Sequence, residues 1–151
     1  MKQNLYVYIG FPTKEIFTVC IAKSRLLCNS LNFRNVKMVV PSLSNFDYSH
    51  IAQAIEEQHQ NSIEDIVKQV KGNAYSFGDC GLMIKSVNTF SSITPYESVI
   101  LLMFPSIDIY AKLKKDIDNY SNVIMCIVPV NEFEMKTVFS EFNIIEINNL
   151  N

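Results

Sequence analysis

The stretch Val99-Ile100-Leu101-Leu102-Met103-Phe104-Pro105-Ser106 decides the fold. An uninterrupted apolar run of this length reads as a strand buried on both faces, as in a parallel sheet. Proline then stops it, because a residue without an N–H cannot extend a central ladder. A serine follows, whose oxygen can accept from the free N–H groups that open a helix.

The same phrase recurs along the chain. Leu5-Tyr6-Val7-Tyr8-Ile9-Gly10-Phe11 runs into Pro12 and Thr13, and Val36-Lys37-Met38-Val39-Val40 into Pro41 and Ser42. Val123-Ile124-Met125-Cys126-Ile127-Val128 runs into Pro129 and, two residues on, Asn131. Buried strand, stop and helix start in that order argue for parallel strands whose carboxyl ends, with the helix starts, share one edge.

Working outward, the predicted strands are Leu5–Gly10, Val36–Val40, Ser98–Phe104, Val123–Val128 and Asn143–Ile147. Helices are predicted from Lys14 to Leu31, where Ile16, Phe17, Cys20, Ile21, Leu27 and Leu31 recur near the helical period, from Asp108 to Tyr120, and from Glu132 to Phe142. The stretch 42–97 carries a polar loop, Ser42–Asp47, and a helix from Ser49 to Gln58. Ser62-Ile63-Glu64-Asp65 resembles a capping box, opening a further helix that stops at Gly72. Leu82–Val87 fits a short helix packed on the sheet, with a strand as the alternative, so a hairpin can hide here. The tail from Asn148 is expected to fray.

Five strands with helical crossovers give an α/β, three-layer domain spanning residues 1–151. The third and fourth strands are central by their composition. Lys37 and Glu146 mark the second and fifth as peripheral. The flavodoxin-like order 2-1-3-4-5 satisfies these constraints with right-handed crossovers, and a Rossmann-like variant is the alternative.

Composition bounds the function. The hydrophobic share is 48%, the charged share 19% and the net charge −2, a balance that argues for a folded chain and against a nucleic-acid binder. Lys112, Lys114 and Lys115 are answered by Asp108, Asp116 and Asp118 at helical spacing, a solvated face rather than a phosphate track. The apolar runs are too short to span a bilayer and the first residues do not form a signal peptide, so a soluble, cytoplasmic chain is expected, with no membrane partner. The four cysteines include no Cys-x-x-Cys, and His50 and His59 lack metal spacing, so no metal site and no cofactor are specified. Cys20, Cys28 and Cys126 fall in apolar segments, and all four thiols are expected to be reduced.

In open parallel sheets ligands sit at the carboxyl edge, where strand order reverses. Order 2-1-3-4-5 puts that crevice between the first and third strands, bounded by Gly10, Thr13 and Lys14, by Ser106 and Asp108, and by Ser42 and Ser44. Helix starts present free N–H groups and partial positive charge, so a small anionic or nucleotide-like guest is expected. The plainer role for Thr13, Ser42 and Ser106 is to cap their helices. Neither a phosphate loop nor a dinucleotide fingerprint is present. Ser76, Gly78, Asp79 and Cys80 form a second candidate loop, in which a helix starting at Cys80 would stabilise a thiolate. A protein-interaction subunit or homodimer without a ligand is the alternative function, and a small enzyme built on the Gly78–Gly81 loop a further one.

Overall fold

The structure is a computed structural model that describes residues 2–11, 13–41, 68, 75–77, 80–88, 90 and 98–147, with Lys14 and residues 75–77 described by their backbone alone. The predicted helix at 49–58, that at 62–72 except for Lys68, Ser42, Ser44, Gly78, Asp79 and the tail from 148 lie outside those residues.

The elements run β1 (Asn4–Ile9), α1 (Lys14–Leu31), β2 (Asn35–Val40), β3 (Tyr75–Phe77), β4 (Cys80–Ser86), β5 (Ser98–Met103), α2 (Ile107–Ile117), β6 (Asn122–Ile127), a 3-10 turn (Pro129–Asn131), α3 (Glu132–Phe139) and β7 (Asn143–Glu146). The class is α/β, as its strand–Pro–cap phrases require. Among the described residues the sheet has seven strands, in the order β3-β4-β2-β5-β6-β1-β7. Six are mutually parallel, and β3 is antiparallel to β4.

This corrects the five-strand, flavodoxin-like expectation in two ways. First, Cys80–Ser86 is a strand, not a helix. Its buried positions Cys80, Leu82, Ile84 and Ser86 alternate with half-buried Gly81, Met83 and Lys85, the period of a pleated strand. It hydrogen-bonds to β2, so β2 is interior despite Lys37. Lys37 is 5% exposed, with its Nζ 6.0 Å from the centre of the Tyr120 ring, and burial lowers its pKa. Second, β1 lies between β6 and β7 rather than between the second and third predicted strands. Its sequence carries the reason. Leu5 and Val7 are buried while Tyr6 and Tyr8 are half-buried, the pattern of a strand near the margin. All six residues of β5 and of β6 are buried, as central strands should be.

Crossover handedness then sorts the helices. From β1 the chain moves toward the β4 side to reach β2, whereas from β5 and β6 it moves toward the β7 side. Right-handed crossovers in opposite directions put their helices on opposite faces. Ile16, Phe17, Cys20, Ile21, Leu27 and Cys28 of α1 accordingly pack on Val36, Met38, Leu82, Leu101, Ile124 and Cys126. On the other face, Tyr110, Leu113 and Ile117 of α2 and Met135 and Val138 of α3 pack on Leu5, Val7, Ile100, Leu102, Val123 and Met125. At about 1.5 Å per residue an 18-residue helix is about 27 Å long. That is enough for α1 to pass over β6 and β5 on its way to β2.

An asparagine ladder holds the amino ends in register. Asn4, Asn122 and Asn143 are the first residues of β1, β6 and β7 and are paired across the sheet. Asn4 Nδ2 donates to Asn122 Oδ1 at 3.2 Å, and Asn143 Nδ2 donates to Asn4 Oδ1 at 2.9 Å. Side chains thus satisfy each other where the strands begin.

Candidate functional site

The carboxyl ends of β1, β5 and β6 carry the starts of α1, α2 and α3, so three helix starts do gather at one edge. Their arrangement differs from the predicted crevice. With β6 between β1 and β5, the Gly10–Lys14 turn and the Ser106–Asp108 turn stand two strand spacings apart, about 9–10 Å. The end of β6 serves both: Gly10 N donates to Ile127 O at 2.9 Å, and Phe104 N donates to Cys126 O at 2.8 Å.

The two turns are also chemically different. At α2, Ser106 Oγ accepts from Ile109 N at 3.2 Å, an ordinary N-cap. Ile107 N donates to Glu134 Oε1 at 3.4 Å, so a carboxylate from α3 already faces this helix start, and Asp108 adds a second acid to its first turn. Two of the N–H groups that open α2 thus have side-chain partners within the chain. At α1, Thr13 is exposed and extended, with φ −117° and ψ 168°, yet its side chain makes no cap hydrogen bond. Thr13 N donates to Phe11 O at 2.8 Å, which closes a tight turn ahead of the helix. Glu15 is the acid of the first turn, preceded by Lys14. Gly10 has a packing role. A Cβ there would lie 2.9 Å from Cε1 of Tyr8, so the bare backbone makes room for that ring.

Phe104 connects the two turns from inside. Its φ of 56° is a left-handed conformation rarely adopted by a bulky residue, and it directly precedes Pro105 and Ser106. Its ring meets that of Phe17, in the first turns of α1, edge-on at 6.0 Å and 85°. Strain of this kind persists where surrounding contacts over-determine it, and it concentrates at binding and switch regions.

The second predicted loop is placed differently. Ser76 lies in β3, paired with Gly81, and Cys80 opens β4 fully buried. No helix begins at Cys80, so the helix N-terminus that the reactive-thiol reading invoked is not there. Its Sγ lies 3.8 Å from Asn29 Oδ1 and 3.7 Å from Phe33 O. Burial, and then the neighbouring Cys80, push the Cys28 thiol up to about 12.

A cleft of about 320 Å³ lies under α3 at the β1–β7 edge. Val7, Tyr8, Ile9, Ile144 and Ile147 form its apolar part, closed by Phe139, and Glu132, Lys136 and Glu146 rim it. Sequence reasoning missed it because it depends on β7 pairing with β1. The one signal was Glu146, a charge set within the run Ile144, Ile145 and Ile147. Around the same edge Phe11 is 66% exposed, Val130 81% and Phe133 82%. Among the described residues no group of three or more His, Cys, Asp or Glu is placed to hold a metal ion, and no helix is long and apolar enough to cross a membrane.

Comparison with known proteins assigns no relationship: the chain matches no family model, and no curated protein matches it in sequence.

Proposed function

We propose that this chain is a binding domain for a small anionic or nucleotide-like ligand, held at the carboxyl edge of the sheet by the first turn of α1. The observation that carries the reading is the contrast between two helix starts that look alike in sequence. Glu134 and Ser106 accept from two of the N–H groups that open α2, those of Ile107 and Ile109, whereas the Thr13 side chain makes no cap hydrogen bond at α1. The N-terminal end of an 18-residue helix carries a partial positive charge that favours an anion, and the sequence puts a lysine, Lys14, at its first position. The strained backbone at Phe104, packed on Phe17, supports a functional use of this corner. The cleft beginning at Tyr8 and Ile9, just before Gly10, offers apolar surface to the rest of such a ligand and is at the small end of ligand-pocket sizes.

A second reading has its own observation. Phe11, Val130 and Phe133 are exposed on the same edge, which suits a protein-interaction subunit or a homodimer. A thermal-shift panel of nucleotides, sugar phosphates and small carboxylic acids separates the two. A ligand at a hundredfold excess over Kd adds ~2.7 kcal/mol to apparent stability, a rise in Tm that is easily read. A panel without any rise, together with a dimer on size exclusion that Phe133→Ser converts to a monomer, selects the second reading.

A further inference from the structure

We propose that Cys20 and Cys126 form an oxidation site, at which a peroxide converts two buried thiols into a disulfide that staples α1 to β6. The two residues come from distant parts of the chain and meet on the face covered by α1. Both are fully buried. Their sulfurs stand 2.6 Å apart. That separation is nearer to the length of a disulfide, about 2.05 Å, than to ordinary non-bonded packing, which holds carbon atoms about 3.5–4.0 Å apart.

The other two cysteines give an internal comparison. Cys28 and Cys80 also neighbour each other, but Cys28 Sγ donates to Asn35 O at 3.3 Å and Cys80 Sγ lies 3.7 Å from Phe33 O. These thiols point at backbone carbonyls, and they stay reduced when the first pair reacts. In the reduced protein all four are free. Burial, and then the Cys20 contact, push the Cys126 thiol up and keep it protonated, which slows its reaction with any electrophile.

The chemistry balances with hydrogen peroxide as the two-electron oxidant. Sulfur of Cys20, losing its proton, attacks one peroxide oxygen. The O–O bond breaks, leaving a sulfenic acid and one water. Cys126 sulfur then displaces the sulfenic oxygen, which departs as a second water with the Cys126 proton. Two thiols are oxidised, one peroxide is reduced, and one S–S bond is made. The new bond closes the chain between residues 20 and 126 and constrains the unfolded state. It also anchors the strand whose Cys126 and Ile127 carbonyls hold the Phe104 and Gly10 N–H groups. Oxidation thus tightens the corner where α1 begins.

The test treats the folded full chain with hydrogen peroxide, removes the oxidant, unfolds it without reductant and counts thiols. The expected result is a fall from four free thiols to two, from the four present at the start. The mass should fall by two hydrogen atoms, with one crosslinked peptide pair carrying Cys20 and Cys126. Tm should rise and return on reduction with dithiothreitol. Cys28→Ala should still lose two thiols, and Cys126→Ala should form no intramolecular bond. Four thiols surviving in the wild-type chain overturn the proposal. So does a bond mapped to Cys28 and Cys80, or oxygen addition in place of hydrogen loss; these outcomes are read on the wild type and do not depend on any variant folding.

Discussion

Tyr120 is 1% exposed, and its hydroxyl finds no hydrogen-bond partner among the described residues. A buried donor without a partner costs about 1–3 kcal/mol. Tyr120→Phe keeps the ring under Lys37 and against Phe90 while removing that atom. The substitution should therefore raise stability by on the order of 1 kcal/mol in urea titrations, and a loss of similar size would mean that the hydroxyl is satisfied. Glu141 carries the opposite case. The Tyr110 hydroxyl donates to its Oε2 at 2.9 Å and Lys114 Nζ approaches at 3.2 Å. These contacts, the tyrosine bond first, hold the Glu141 carboxyl below its usual 4.5. A carboxyl whose folded pKa is depressed binds fewer protons than the unfolded chain does in that window. Its stabilisation is present above the usual value and is lost as pH falls through the lowered one. Glu141→Gln should flatten stability between pH 5 and pH 3, with a small effect because the pair is half-exposed. Single residues misled in one place: Lys37 reads as the mark of an edge, yet its long stem lies buried in an interior strand.

At the scale of elements, the strand–Pro–cap phrase located β1, β2, β5 and β6 and the start of each helix that follows β1, β5 and β6. It did not distinguish a cap in use from an idle one, because that depends on what the fold brings alongside. Glu134 reaches α2 from another helix, and nothing in the local sequence announces it. The difference is measurable. Ser106→Ala should cost ~0.5–2 kcal/mol, the usual loss of an N-cap. Thr13→Ala should cost less than about 0.5 kcal/mol, within the range of neutral surface changes. Equal losses in chemical denaturation would contradict the idle cap. β4 was legible only as one of two choices, because apolar Met83 blurs the alternation of Cys80, Leu82 and Ile84. Its partner β3 is a three-residue strand, too short to leave a periodic signal.

For the whole molecule, composition gave the α/β class and the parallel core, since two fully apolar runs leave little other choice. Strand order was not legible, because an 18-residue crossover can reach a distant strand as readily as a neighbour. The half-covered tyrosines of β1 were the clue that it lies near the margin. Misplacing β1 misplaced the crevice, so Gly10, Thr13 and Lys14 remain together while Ser106 and Asp108 stand beyond β6. The account therefore rests on α1 rather than on a convergence of all three turns. The measurement that tests it most directly follows backbone amides by NMR while inorganic phosphate, and then a nucleoside monophosphate, is added to the folded chain. The account predicts saturable shifts at Lys14, Glu15 and Ile16, with Ile107 and Ile109 unmoved, and a weaker affinity in Lys14→Ala at unchanged Tm. Amides of α1 that stay still in both titrations, or shifts centred on α2, would contradict it.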